Sequence, residues 1–253
     1  MSRSFLYQGV IHMAGALLTK WAKLIMITFL LFIAQLIISK LSWYVSAAFD
    51  LSAIDRDGTF LQVTVHHIVQ MAVALIMMLI LHRSKNITGF KLAPSYDKRG
   101  VKYTLLFCTI LLAYYSVVYT VGHFTQSIAV YEYELNRTNV LGTLGFQLLL
   151  SGPSEEILFR ALPIVLYQQI LNTENKADRA IAVGLSALLF GAGHINVFQF
   201  NIPWFQVCYA AVLGTVYGYT FIKTNSIIYP MVQHSLSNVI SVGGCYLYMM
   251  FLR

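Results

Sequence analysis

Glu155, Glu156 and Arg160 interrupt an otherwise apolar run of the chain, and two further polar pairs follow, His194 four residues after Phe190 and Asn238 four residues after His234. Carboxylate, imidazole and carboxamide are the groups needed to hydrolyse an amide with water itself as nucleophile. An acid-base pair withdraws a proton from water, and N–H donors stabilise the tetrahedral oxyanion. No Gly-x-Ser-x-Gly elbow and no His-Glu-x-x-His zinc motif occurs in the sequence. Ser151 and Ser154 have no neighbouring base along the chain.

Charges in such surroundings need a reason. An Asp, Lys or Arg in the middle of a membrane helix costs about 2.5 to 3.5 kcal/mol, so the three charges cost roughly 8 to 10 kcal/mol together. They must therefore point inward, pair, or meet water. Glu156 and Arg160 share a helical face and can pair locally, while Glu155 is rotated about 100° away and is left over. Spacing does not decide which carboxylate does chemistry. His234 and Asn238 also share a face and can aim at one point. Pro153 removes a backbone donor, so a kink or break is expected there.

The elements that hold these groups follow from composition. Of 253 residues, 58% are hydrophobic and 11% charged, which places the chain among polytopic membrane proteins. Spanning segments need roughly 20 apolar residues. On that measure we expect an all-α transmembrane bundle of about seven spans (six to eight), at 24–45, 61–81, 103–121, 140–170, 180–192, 205–222 and 227–252. The net charge of +7 is unevenly placed. Arg3, Lys20 and Lys23 precede the first span, and Arg83, Lys85, Lys91, Lys98, Arg99 and Lys102 lie between the second and third. Asp50, Asp55, Asp57, Glu132 and Glu134 fall in the opposite loops. This bias predicts an integral, multi-pass protein with a cytoplasmic N-terminus. The cavity is expected to open toward the cytoplasm. No basic extramembrane face is long enough for nucleic acid.

Cys108, Cys208 and Cys245 are far apart and fit no zinc or disulfide pattern. Gly142, Gly145, Gly184, Gly214 and Gly218 suit close helix packing. Asn136-Arg137-Thr138 matches a glycosylation sequon. His66, His67, Gln70, His123 and Gln147 have no partner at catalytic spacing and read as packing residues. The chain is expected to form one membrane domain, 1–253.

In that order on successive late helices, Glu155-Glu156-x-x-x-Arg160, Phe190-x-x-x-His194 and His234-x-x-x-Asn238 resemble the three motifs of the CPBP family. That family comprises CAAX prenyl endopeptidases of the Rce1 type and bacterial Abi or bacteriocin-processing relatives. The resemblance covers about 140–253 and implies an Rce1-like bundle carrying a glutamate-type intramembrane endopeptidase. It further implies that Glu155 with His194 activates water and that Glu156 and Arg160 hold that glutamate and the substrate end. His234 and Asn238 would form the oxyanion hole, and Phe190 would pack behind His194. Ala161 departs from the pattern, which often has Gly there.

The implied partner is a membrane-associated peptide or protein, either a prenylated CAAX-like chain or a bacterial leader or pheromone. Short loops favour a bacterial cytoplasmic membrane. No cofactor is expected. Three alternatives remain: a zinc protease with Glu155, His194 and His234 as ligands, a non-proteolytic regulator or bacteriocin-immunity scaffold, and a transporter.

Overall fold

The computed structural model describes residues 3–252, and side chains from Gly15 onward except those of Ala16 and Phe198; the Arg3 charge lies outside these described side chains. Seven helices form the described chain. They are α1 (Arg3–Ala47), α2 (Leu61–Lys85), α3 (Lys98–Thr125), α4 (137–168), α5 (Lys176–Ala192), α6 (Trp204–Thr224) and α7 (Ile228–Phe251). Four segments, Leu17–Ala47, Leu61–Lys85, Lys98–Thr125 and Trp204–Thr224, are long and apolar enough to cross a membrane. The fold is all-helical, as composition predicts, and the protein is a membrane protein.

Local chemistry explains many of the helix ends. Asp97, Asn136 and Asn175 are N-caps whose side chains accept hydrogen bonds from the backbone N–H of Arg99, Asn139 and Ala177. Asn136, the sequon residue, thus has a capping task. Asn86, Gln126 and Asn225 close α2, α3 and α6 in the left-handed region, with φ of 52°, 52° and 54°. The first turn of α2 has no cap of its own. Asp55 instead folds back from the α1–α2 loop and accepts from the N–H of Thr59, Phe60 and Leu61 at 2.8, 2.8 and 2.6 Å.

At Pro153, α4 does not break. It stays helical throughout but contains two π-helical turns, Gln147–Ser151 and Ile157–Ala161, each ending two residues before a proline, Pro153 and Pro163. A proline cannot donate to the carbonyl four residues back and its ring crowds it; an extra residue in the preceding turn accommodates both problems. Between the two bulges stand Glu155 and Glu156.

Helix α4 is central, packing against α1, α2, α5, α6 and α7, while α1 pairs with α2, α3 with α7, and α5 with α6. Almost every residue of α4 from Ser151 to Val165 is buried, including Arg160 and Glu156 at 0% exposure. Ala161 is also fully buried, so a small residue is what the site requires. Outward faces carry exposed Leu30, Ile37, Leu105, Ile110, Phe205 and Val212, the surface that lipid solvates. Lys20 of α1 clamps the start of α5 through Asp178 at 2.8 Å. Gly214 and Gly218 pack as expected, Gly214 against Arg160 and Phe190 and Gly218 against Val183. Gly142 faces the Phe60 ring, whereas Gly145 and Gly184 have open space beside them.

Candidate active site

The two adjacent glutamates have different surroundings. Glu156 is sealed from solvent: its Oε2 lies 3.1 Å from Arg160 Nε and its Oε1 lies 2.8 Å from His234 Nδ1. Glu155 keeps 18% of its side chain exposed and lines a cavity of about 450 Å³. Its Oε2 is 3.6 Å from His234 Nε2 and its Oε1 is 3.7 Å from His67 Nε2. Neither separation is a direct hydrogen bond, but one water molecule can touch the carboxylate and a ring together.

Arg160 has no hydrogen bond among the described residues; at 3.1 Å its approach to Glu156 is an ion pair without hydrogen-bond alignment. Aromatic faces complete its surroundings. The guanidinium carbon lies 4.3 Å from the centre of the Phe190 ring and 5.4 Å from that of Tyr217, a contact worth about 0.5 to 2 kcal/mol. Phe190 also meets the edges of His194 and His234, with ring centres 5.1 and 5.4 Å apart. Tyr217 stacks on His234 at 5.1 Å and 17°, its hydroxyl 2.8 Å from Ser237 Oγ. Phe190 is therefore the common wall of Arg160 and both motif histidines.

Glu156 orients His234 by accepting from its Nδ1–H, which leaves Nε2 toward Glu155. His194 lines the same cavity, and its Nδ1 is 2.9 Å from the Phe190 carbonyl, to which it donates. Asn238 donates one amide hydrogen to Ser151 Oγ at 2.9 Å. Among the six candidate positions, Glu155 and His194 reach the cavity wall. Glu156 and Arg160 lie behind it, in contact with His234 and Phe190.

A residue outside those six stands beside Glu155. His67, read from sequence as packing, is buried with its Nδ1 2.6 Å from Ser154 Oγ and its ring edge on Phe146. The visible signal was a polar residue in an apolar helix. Its partner is 87 positions away in the chain, so spacing could not reveal it.

The cavity lies between the last third of α1 (Gln35 to Trp43), the start of α2 (His66 to Gln70) and the segment after α5 (Gly193 to Val197). These positions are at the end of the bundle remote from the Lys/Arg-rich 83–102 connection. A cytoplasmic opening and a cytoplasmic basic loop are thus incompatible expectations.

The zinc reading requires Glu155, His194 and His234 to converge. Among the described residues no group of three His, Cys, Asp or Glu side chains gathers closely enough to hold a metal ion. Glu155, His194 and His234 are not gathered as ligands of one ion in this arrangement, and no step is assigned to a metal.

No curated protein and no solved structure matches the chain. A family model, the Rce1-like type II CAAX prenyl endopeptidase, matches residues 137–240. That segment runs from the N-cap side of α4 past Asn238 and holds all three polar sets. Within an all-helical bundle, around a buried Glu-Arg pair and a cavity-facing glutamate, residues 137–240 of the chain are thus similar to the Rce1-like type II CAAX prenyl endopeptidases.

Proposed function

We propose that the protein is a glutamate-type intramembrane endopeptidase that cleaves a membrane-associated peptide with water activated by Glu155. One observation carries this reading: of two adjacent carboxylates, Glu156 is held by Arg160 and His234, whereas Glu155 has no Lys or Arg within ion-pair distance among the described residues and faces the cavity. A carboxylate so placed takes a proton from water as the water oxygen attacks the scissile carbonyl. His194, on the same wall, accepts a hydrogen bond from the attacking water and so helps Glu155 to activate it. Asn238 retains a second amide hydrogen for the oxyanion, and His234 joins it when Nε2 is protonated.

The substrate is a peptide bond presented at the lipid boundary, in a bacterial leader or pheromone or a prenylated CAAX-like chain. With the N-terminus cytoplasmic, the cavity opens on the opposite face, which favours peptides that reach the site from outside the cytoplasm. The protein acts as a multi-pass component of a bacterial cytoplasmic membrane and needs no cofactor.

Comparison of membrane peptides from cells carrying wild type or Glu155→Gln tests the proposal. An uncut precursor should accumulate with the variant, at equal protein level. Identical peptide profiles would remove the reading.

A further inference from the structure

His67 lies on α2, outside the matched segment 137–240, yet it stands as close to Glu155 as His234 does. Its Nδ1 is 2.6 Å from Ser154 Oγ. Ser154 Oγ also lies 3.0 Å from the Ser151 carbonyl, which can only accept. Donation of the hydroxyl to that carbonyl leaves Ser154 Oγ to accept from His67, and in that arrangement the proton on the neutral ring is at Nδ1. Nε2 is then a bare lone pair, 3.7 Å from Glu155 Oε1, on the wall of the cavity. His234 is held in the same sense by Glu156, so each carboxylate oxygen of Glu155 faces a basic nitrogen. Three acceptors around one point are stable only with a proton or a proton donor between them, the arrangement expected of a station that accepts protons from water. Packing alone would not demand this tautomer, since Phe146 meets the His67 ring edge-on at 4.9 Å whichever nitrogen is protonated.

Resting on the endopeptidase reading above, we propose that His67 is a further catalytic residue, which stores the proton that Glu155 removes from water and returns it to the leaving nitrogen. The water oxygen bonds to the scissile carbonyl carbon while the carbonyl π pair moves onto oxygen. One water proton passes to Glu155 and on to His67 Nε2, giving an imidazolium. When the C–N bond breaks, its electron pair stays on nitrogen, which takes that proton back through Glu155. The second water proton leaves from the new carboxyl group as it ionises. Glu155 and His67 end as they began, and the products are one carboxylate and one amine. The catalytic unit then requires α2 as well as the C-terminal half.

The test uses full-length protein in lipid nanodiscs and the internally quenched peptide that wild type cleaves fastest from a randomised pool. His67→Asn keeps an N–H for Ser154 and removes Nε2. It should lower kcat about 100-fold with KM unchanged. His67→Ala should lose as much and recover in part with added free imidazole. Full kcat in His67→Asn, or no imidazole rescue in a folded His67→Ala, overturns the assignment. ¹⁵N spectra of histidine-labelled protein give a readout without substrate. They should show His67 protonated at Nδ1, with its Nε2 signal moved by Glu155→Gln; an Nε2–H tautomer in wild type also overturns it. If Glu155→Gln itself cleaves normally, the endopeptidase reading fails; if only His67→Asn cleaves normally, this inference fails alone.

Discussion

Glu156 Oε1 accepts from His234 Nδ1 at 2.8 Å while its Oε2 faces Arg160 Nε at 3.1 Å, so one buried carboxylate holds a cation and sets the direction of an imidazole. Glu156→Gln leaves the Arg160 charge buried without its partner. Loss of one member of such a pair costs about 3 to 5 kcal/mol, whereas apolar replacement of both is nearly neutral. We expect Glu156→Gln to be strongly destabilised in mixed-micelle unfolding, and Glu156→Gln with Arg160→Met to regain most of that stability. Equal stability of the single variant and wild type would show that Arg160 is paired elsewhere.

At Gly152, α4 packs tightly against the backbone of α7. A Cβ there would lie 2.5 Å from the Met231 carbonyl oxygen and 2.8 Å from the Ser235 backbone nitrogen. Backbone cannot give way as a side chain can, so Gly152→Ala should push α7 outward, cost about 1 to 3 kcal/mol, and carry His234 away from Glu155. Gly184 has nothing within 4 Å of the same position, and Gly184→Ala should gain up to about 1 kcal/mol of helix stability. Parallel unfolding curves and peptide cleavage rates for both variants check the contrast.

Asp55 supplies a pH dependence outside the membrane. Burial alone would raise its pKa, but hydrogen bonds from the N–H of Leu61, Phe60 and Thr59 together outweigh that and hold it below the ordinary carboxylate value. A carboxyl lowered by folding contributes its full stability above the unfolded value of about 3.9 and loses it as pH falls through the folded value. Asp55→Ala should therefore cost about 1 to 2 kcal/mol at neutral pH and little in strong acid. The gap between variant and wild-type unfolding midpoints, measured from pH 7 downward, should close below about pH 4.

Sidedness can be read directly. In a background lacking Cys108, Cys208 and Cys245, Asn196→Cys on the cavity rim should react with a membrane-impermeant thiol reagent added to intact cells. Lys91→Cys, in the basic loop, should react only after the membrane is opened. Asn196 and Lys91 are at opposite ends of the bundle, and the reverse pattern would place the cavity at the cytoplasm.

Much of this protein was legible before any coordinates. Apolar length marked the helices because bilayer thickness is a local constraint on each segment, and Asp97, Asn136 and Asn175 mark helix starts by chemistry within three residues. The Glu156–Arg160 pair was visible for the same reason, as were the three polar sets on which the resemblance to that family rests. Tertiary structure decided what depends on rotation and on distant neighbours. Two π turns beside Pro153 and Pro163 set the aim of α4, and no four-residue spacing rule anticipates an inserted residue. The choice of Glu155 over Glu156 as the cavity-facing acid, the place of His67 at its side, and the end of the bundle where the cavity opens all arise from contacts between segments far apart in the chain. Helical periodicity carries no information about those contacts, because it records which side of a helix is polar and not which helix lies across from it.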